Sequence, residues 1–400
     1  MTRFQRRRVD GEEQRTTALE LFYDLVFVFA ITQVSHLLLD DLSWRGAAHA
    51  AVALLVVWWA WNYTTWVTNE LDPDSVAVRL VLIGLMLASL LLAIAIPHAF
   101  GSRALLFAGA YVAIQVGRHL FLTFGSAEAG TVERDRAGRI LVWFCVAGAL
   151  WLAGGAVGPP ARAWLWLGAL ALDYGAPLAV FWVPGRPRID SSAWNVETSH
   201  FAERFQLFVI IALGESIVVT GATTAQLELA PARVAALGVA FLSTAALWWL
   251  YFNDVARIAE RRLELAERRT DMARDAYTYL HVVLVAGVIV AAVGNALTID
   301  RPTAVLPGAG VAAVAAGPAL YLLGLAVFRL RVAGSIAPKR LAGAAGCVAA
   351  GALGTVLPAL ALAALELAIL VSVIGGEQVA GRRRTARGEA SPLERLEAST

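Results

Sequence analysis

Charged side chains inside apolar segments are the residues of this chain that could carry chemistry. Residues 200–224 read HFAERFQLFVIIALGESIVVTGATT, a run long enough to cross a bilayer that still holds Glu203, Arg204 and Glu215. A charge at bilayer depth costs about 3 kcal/mol or more unless it has a partner or water. Arg204 and Glu215 fall on one helical stripe, which we expect to face other helices or a water-filled path.

Further carboxylates lie in other apolar segments. Glu20 and Asp24 are four residues apart and share a helical face, so their repulsion favours binding of a proton or a cation at one of them. The predicted transport or ion-coupling set is Asp24, Asp173, Glu203, Arg204, Glu215 and Glu366. Secondary polar candidates are Glu20, Gln33, His36, Asn62, Arg118 and Asn295, of which lone amides commonly join helices. The alternative role is structural: Arg204 or Arg118 would neutralise Asp24 or Glu215 in an ion pair that fixes helix packing.

Enzyme motifs are absent from the sequence. The single lysine, Lys339, follows Pro338, so there is no Walker A loop, and G-x-S-x-G, H-E-x-x-H and C-x-x-C do not occur. The six histidines show no metal-ligand spacing. We therefore predict no catalytic residues, no metal and no cofactor, with a bis-histidine haem between two spans kept as an alternative.

The elements that position these groups are membrane helices. Hydrophobic residues make up 58% of the 400 residues and charged residues 16%, against about 25% charged in soluble domains. We predict an all-α, polytopic integral membrane protein with about twelve spans. The spans lie near 19–39, 46–68, 76–96, 103–124, 139–157, 162–183, 200–223, 232–252, 277–298, 308–329, 339–356 and 358–376.

The basic residues predict the orientation of these spans. With a cytoplasmic N-terminus, the inside segments and adjoining span ends hold 26 of the 33 basic residues, as the positive-inside rule requires. Both termini are then cytoplasmic: a basic segment at 1–18 and a tail at 377–400, which we predict to be disordered. The loop 253–276 predicts a cytoplasmic helix with a Glu264–Arg268 pair, either a connector at the headgroups or a gating element.

An internal repeat relates residues 19–183 to residues 200–376. Four matches occur in the same order: the segments at Glu20 and Glu203, Trp58-Trp59 and Trp248-Trp249, Tyr111 and Tyr321, and Asp173 and Glu366. Six spans per repeat keep both halves in one orientation, which predicts a parallel duplication about an axis along the membrane normal. The tryptophans are predicted to form interface belts and packing contacts, or alternatively an aromatic substrate cage.

Two motifs resemble the bacterial low temperature requirement A family. They are ELFYDLVFVFAITQVSH at 20–36 and HFAERFQLFVIIALGESIVV at 200–219, and the resemblance extends over about residues 10–376. It implies a multi-pass protein of the bacterial cytoplasmic membrane but no particular activity. FYDLVFVFAIT also resembles the first helix of a potassium channel family with an F-S-D signature, but Tyr23, Ala18 and Leu207 replace that family's Ser, Arg and Asp.

Three functional hypotheses follow. The leading one is a secondary transporter that moves a small solute or ion between two six-span halves, with Asp24, Asp173, Glu215 and Glu366 as coupling groups and Arg204 as counter-charge. The second is a cation channel lined by the same carboxylates. The third is a non-transport membrane protein that binds a lipid or cofactor. The expected partners are the bilayer and a small solute or ion, with no nucleic acid.

Overall fold

The structure is a computed structural model that describes residue 4, residues 15–190, residue 194 and residues 196–397. The predicted basic segment at 1–18 therefore lies mostly outside the described residues. The first half of the chain contains α1 (Ala18–Asp40), α2 (Trp44–Thr68), α3 (Val76–Ala95), α4 (Ala104–Leu120), α5 (Val132–Ala156) and α6 (Ala161–Gly175). A 3₁₀ turn (Ile96–His98) follows α3, and a π-helix (Phe121–Ser126) follows α4.

The second half begins at α7. It contains α7 (Thr198–Ala225), α8 (Pro231–Phe252), α9 (Val255–Glu264), α10 (Arg269–Met272), α11 (His281–Asp300), α12 (Gly308–Ala333), α13 (Pro338–Leu353), α14 (Ala359–Ala386) and α15 (Pro392–Glu397). A second π-helix (Ala273–Leu280) leads into α11. Each of the twelve predicted spans thus contains one helix of the structure.

Ten helices among the described residues are long and apolar enough to cross a membrane. The two remaining predicted spans correspond to α6, with 15 residues, and α13, with 16. At 1.5 Å per residue these helices are roughly 22–24 Å long, shorter than a hydrocarbon core of roughly 30 Å. The chain is therefore an all-helical, multi-pass membrane protein that contacts the lipid bilayer, and the full count of twelve crossings stays a prediction.

The chain divides into two compact units: the described residues within 1–37 and 52–204, and those within 38–51 and 205–400. In the first unit α3 packs on α4, α4 on α5 and α5 on α6. In the second unit α11 packs on α12, α12 on α13 and α13 on α14. Close approach of α11 and α12 requires glycine, because a Cβ atom at Gly294 would lie 2.8 Å from the Cα of Val314.

The predicted disorder of 377–400 is wrong for most of the described part of the tail. Helix α14 continues to Ala386, and α15 follows at 392–397. The buried Arg340 of α13 donates two hydrogen bonds to the carboxylate of Glu377, at 2.8 and 3.0 Å. This bidentate pair holds the extension of α14 against α13. At the start of α15, Ser391 and Glu394 form a reciprocal capping box.

The predicted single helix at 253–276 is also interrupted. Helix α9 ends at Glu264, which pairs with Arg261 three residues earlier at 2.8 Å. Arg268 instead pairs with Asp271 of α10 at 2.6 Å, so the predicted Glu264–Arg268 pair is wrong. The break between α9 and α10 places residues 264 and 268 outside the continuous helical turn that an i,i+4 pair needs.

Candidate functional site

The first group of candidate residues surrounds the start of α1. The carboxylate of Glu20 accepts hydrogen bonds from the backbone N–H and the hydroxyl of Thr17, both at 2.9 Å, and the Glu20 N–H faces the Thr17 hydroxyl at 3.4 Å. This is a capping box, which satisfies N–H groups that a helix start leaves unbonded. Glu203 holds Thr16, the residue before Thr17, in a similar way: its carboxylate accepts hydrogen bonds from the Thr16 N–H at 2.8 Å and from the Thr16 hydroxyl at 2.9 Å.

Arg204 joins Glu20 and Asp24, two acidic residues in the first turns of α1. Its guanidinium lies 2.6 Å from Oδ1 of Asp24 and 3.2 Å from Oε1 of Glu20, and all three side chains are at most 1% exposed. The sequence leaves open whether Arg204 neutralises Asp24 or Glu215, and in the structure it pairs with Asp24 and Glu20. One cation shared by two carboxylates repays part of the desolvation cost of all three groups.

Trp61 of α2 adds an uncharged donor to the same carboxylate. Its indole N–H donates to Oδ1 of Asp24 at 2.8 Å, so this oxygen receives both the indole and the guanidinium. Among the described residues no donor reaches the second oxygen, Oδ2. Asp24 is therefore bonded on one side only.

His200, one turn before Arg204, completes the group, and its protonation follows from the hydrogen bonds. The backbone N–H of Glu197 can only donate, so the Asn69 oxygen that it faces at 2.8 Å is correctly placed. The Asn69 amide nitrogen then faces Nδ1 of His200 at 3.1 Å and donates to it. The ring proton is left on Nε2, which lies 3.0 Å from the Glu20 carboxylate. His200 thus faces Glu20 with its Nε2.

These contacts form a buried network, here called the Arg204 network: Glu20, Asp24, Trp61, Asn69, His200 and Arg204. Each acid in it has a permanent partner, either the guanidinium of Arg204 or a neutral N–H. The arrangement links the start of α7 to α1 and α2. Such a network favours a role in helix packing for these residues, as the structural alternative supposes.

A second carboxylate of the first unit has very different surroundings. Asp173 on α6 is 2% exposed, and its Oδ2 accepts the phenol of Tyr111 at 2.8 Å and the indole N–H of Trp151 at 2.9 Å. No donor among the described residues reaches Oδ1, and no cation of that part of the chain pairs with this carboxyl group. Asp173 is held by neutral donors alone.

Arg118 on α4 is a buried cation with neutral partners. It donates to the side-chain oxygen of Gln115 and, at 2.9 Å, to the hydroxyl of Thr64. The aromatic faces of Tyr63 and Phe144 lie 5.5 and 5.9 Å from its guanidinium carbon, within the range of cation–π attraction. Among the described residues of the first unit it forms no ion pair, so the predicted alternative in which Arg118 neutralises Asp24 is wrong.

In the second unit, two predicted acids are also buried. Glu215 on α7 is 1% exposed, and the neighbouring Ser216 shares a hydrogen bond of 3.1 Å with Thr244. Glu366 on α14 is 2% exposed and lies beside the buried thiol of Cys347 on α13. No ion pair joins Glu366 to another described residue.

The remaining candidate residues differ in burial. Asn62 is fully buried in α2, Gln33 and Asn295 are half-buried, and His36 is exposed. No group of three or more metal-ligating side chains occurs among residues 15–190, 194 and 196–397. Within the first unit the structure therefore brings together Asp24 and Arg204 of the coupling candidates with Glu20 of the secondary candidates.

Several residues that contact the candidate carboxyl groups are not predicted from the sequence. His200 stands four residues before Arg204, a spacing that places both on one helical face and is visible in the sequence. Trp61 and Trp151, by contrast, are indistinguishable from packing tryptophans until their N–H groups meet a carboxylate. Trp58, Trp59 and Trp61 are at most 1% exposed, so they pack inside the protein and not at an interface belt.

Apolar helices with buried carboxylates, a shared arginine and neutral hydrogen-bond donors define a multi-pass helical membrane protein with polar networks inside it. Comparison with known proteins gives the family. A model of the "Bacterial low temperature requirement A protein (LtrA)" matches residues 15–375, and the chain belongs to this family. The resemblance in the sequence is thus confirmed.

One curated relative is an uncharacterized protein of Rhizobium meliloti (strain 1021). It is 35% identical over 332 residues, which cover 83% of this chain and 81% of the relative. No solved structure matches the chain.

Proposed function

We propose that the protein is a secondary transporter that moves a small solute or ion across the bacterial cytoplasmic membrane and uses buried carboxyl groups for coupling. The supporting observation is that Asp173 and Glu366, each 2% exposed, have no ion-pair partner among the described residues. An ionisable group costs free energy in such surroundings. Carboxyl groups at such positions are typical of proton relays and ion pathways.

The proposal separates the candidate residues by their partners. Asp24, Glu20, Glu203 and Arg204 belong to the contacts that anchor α1, and we assign them a structural role. Asp173, Glu215 and Glu366 form the proposed coupling set. The two groups differ in what holds the carboxyl: a permanent cation or a helix start in the first group, and for Asp173 only neutral donors.

A duplicated architecture is part of the proposal. The order of helix packing in the first unit, α3–α4–α5–α6, is the same as α11–α12–α13–α14 in the second. In each series the last helix carries a buried acid that contacts the helix before it: Asp173 with Trp151, and Glu366 with Cys347. This agreement supports two repeats of six spans and equivalent depth for the two acids.

We further propose that α6 and α13 cross the membrane, which gives twelve crossings and cytoplasmic termini. The test uses single cysteines at Gly158 and Arg188, on either side of α6, after replacement of Cys145 and Cys347. A membrane-impermeant maleimide added to intact cells should label residue 158 and not residue 188. Labelling of both positions, or of neither, would mean that α6 does not cross.

Transport itself is tested with purified protein in liposomes that contain a pH-sensitive dye, under a panel of ion gradients. We expect gradient-driven movement that Glu215→Gln abolishes, whereas Asp254→Asn, at a residue about two-thirds exposed, should leave it unchanged. A large passive cation current would favour the channel hypothesis. No movement under any gradient would contradict transport of these ions and favour the non-transport hypothesis, and normal movement by Glu215→Gln would make that residue structural.

A further inference from the structure

The two oxygens of Asp173 are not equivalent. Oδ2 accepts two hydrogen bonds, from Tyr111 of α4 and Trp151 of α5. Oδ1 is buried, and none of the described residues donates to it. A buried carboxyl oxygen without a donor is costly as part of an anion, and it is free to form a new bond.

The direction of the hydrogen bonds around Asp173 is fixed by Arg118. A guanidinium only donates, so the Gln115 oxygen must face Arg118 and the Gln115 amide nitrogen must face Tyr111, at 3.0 Å. The Tyr111 oxygen accepts this bond, and its own proton points to Oδ2 of Asp173. Every donor in the series Arg118, Gln115, Tyr111 therefore points towards the carboxyl group.

This polarity determines where Asp173 can bind a proton. Oδ2 already accepts the phenol and the indole protons, so a third proton on this oxygen would be repelled by the two hydrogen atoms that point to it. Oδ1 is the position left. We propose that the coupling ion of the transporter is a proton and that it binds to Oδ1 of Asp173.

A metal cation does not fit the same position. The two side chains that contact the carboxyl group both offer hydrogen atoms to it, and a metal ion needs several oxygen or nitrogen ligands. The described residues contain no group of three or more His, Cys, Asp or Glu side chains that could hold a metal ion. Binding of a proton needs one lone pair only: hydronium loses a proton to Oδ1, an O–H bond forms, and water is released without any change of redox state.

The groups that face Asp173 are few. Tyr111 and, through Gln115, the cation of Arg118 approach from α4, and Trp151 approaches from α5. On α6 itself, the neighbouring Tyr174 donates to the backbone oxygen of Leu55. Arg118 acts here as a positioning residue: it orients Gln115 and Tyr111 so that the carboxylate of Asp173 is stabilised after the proton leaves.

The inference rests on the proposed function only in naming the bound proton as the coupling ion. Infrared spectroscopy tests the proton site itself without a substrate. The purified protein should give a pH-difference spectrum with the C=O stretch of a protonated carboxyl group, shifted in heavy water. Asp173→Asn should remove the Asp173 component of this band and leave any component from Glu215 or Glu366, because the asparagine oxygen still accepts from Tyr111 and Trp151 while no acid remains at residue 173. Asp24→Asn should leave the band in place.

A second variant tests the role of the hydrogen-bond series. Gln115→Leu separates Tyr111 from Arg118, so the carboxylate loses an oriented donor and the band should persist to higher pH, by about one pH unit. An unchanged midpoint would overturn the role of Arg118. A band unchanged in Asp173→Asn, or a band that loses intensity in Asp24→Asn alone, would overturn the proton site.

Failure of the proposed function has a different signature. If the band is present and depends on Asp173 while liposomes show no proton movement, the proton site stands and the transporter proposal is wrong. If proton movement occurs and is unchanged in Asp173→Asn, transport stands and the site is elsewhere.

Discussion

Asp24 and Asp173 are two buried aspartates of the same unit that differ in one partner. Each accepts an indole N–H on one oxygen, from Trp61 at 2.8 Å and from Trp151 at 2.9 Å. The same oxygen of Asp24 also receives the guanidinium of Arg204, and that of Asp173 receives the phenol of Tyr111. The second oxygen of each has no donor among the described residues.

Asp24 has a cation, Arg204, where Asp173 has a phenol, Tyr111, and this difference in partner assigns the two carboxyl groups different roles. The guanidinium of Arg204 pairs with Asp24 at 2.6 Å, so this carboxyl group serves as a fixed partner in the Arg204 network. Asp173 has only neutral donors, and we propose that it gains and loses a proton. Two aspartates of similar burial are thus assigned different functions by their partners.

The largest effect is expected from Arg204→Leu, which removes the cation that distinguishes the surroundings of Asp24 from those of Asp173. Glu20 and Asp24 would remain buried without their positive partner, and the protein should lose about 3–5 kcal/mol of stability. Thermal unfolding in detergent measures this loss. Arg257→Gln, at a residue two-thirds exposed, is the control and should change stability by less than about 0.5 kcal/mol.

The triple variant Arg204→Leu, Glu20→Gln, Asp24→Asn removes the charges together. It should recover much of the stability lost in Arg204→Leu, because no unpaired charge remains buried. If the single variant were as stable as the unmodified protein, the Arg204 network would not stabilise the helix starts.

Replacement of each aspartate by asparagine compares the two sites directly. Asp24→Asn removes a charge-assisted bond to Arg204 and should cost about 1.5–3 kcal/mol. Asp173→Asn keeps its oxygen for both neutral donors and should cost about 1 kcal/mol or less. Chemical unfolding of the two variants under one condition checks the difference, and equal losses would contradict it.

The two indole donors give a smaller and finer contrast. Trp61→Phe removes a donor from the carboxyl group that pairs with Arg204, whereas Trp151→Phe removes one from a group that we propose to be protonated part of the time. We expect a loss of about 2 kcal/mol for the first and about 1 kcal/mol for the second at low pH. The difference between the stability losses of the two variants should shrink as the pH rises and Asp173 ionises. A difference that does not change with pH would argue against a changing charge on Asp173.

The smallest effect is expected from Thr17→Val at the start of α1. The substitution removes the hydroxyl of the capping box but leaves Glu20 its contacts with His200 and Arg204, so the loss should be about 1 kcal/mol. Thermal unfolding checks it, with Thr355→Val, an exposed threonine after α13, as control. A loss as large as that of Arg204→Leu would mean that the cap, and not the ion pair, holds this site.

Much of the fold follows from the sequence because apolar periodicity and length define membrane helices. The helix at 200–223 and its charged stripe are present as α7, and the pairing of Asp24 with Arg204 is among the predicted alternatives. Interactions between distant segments are less accessible. Nothing local indicates that Trp151 meets Asp173 or that Asn69 sets the ring proton of His200, since these contacts depend on how helices pack. The sequence does not indicate the extension of α14 for the same reason, because it depends on the pairing of Glu377 with Arg340 of α13.

The most direct test of the proton site is proton movement into dye-loaded liposomes by three preparations measured side by side: the unmodified protein, Asp24→Asn and Asp173→Asn. We expect gradient-driven movement by the unmodified protein, retained movement by the folded Asp24→Asn variant and none by Asp173→Asn. Movement by Asp173→Asn at the unmodified rate would contradict it, because the proton would then not bind at the carboxyl group that lacks a cation.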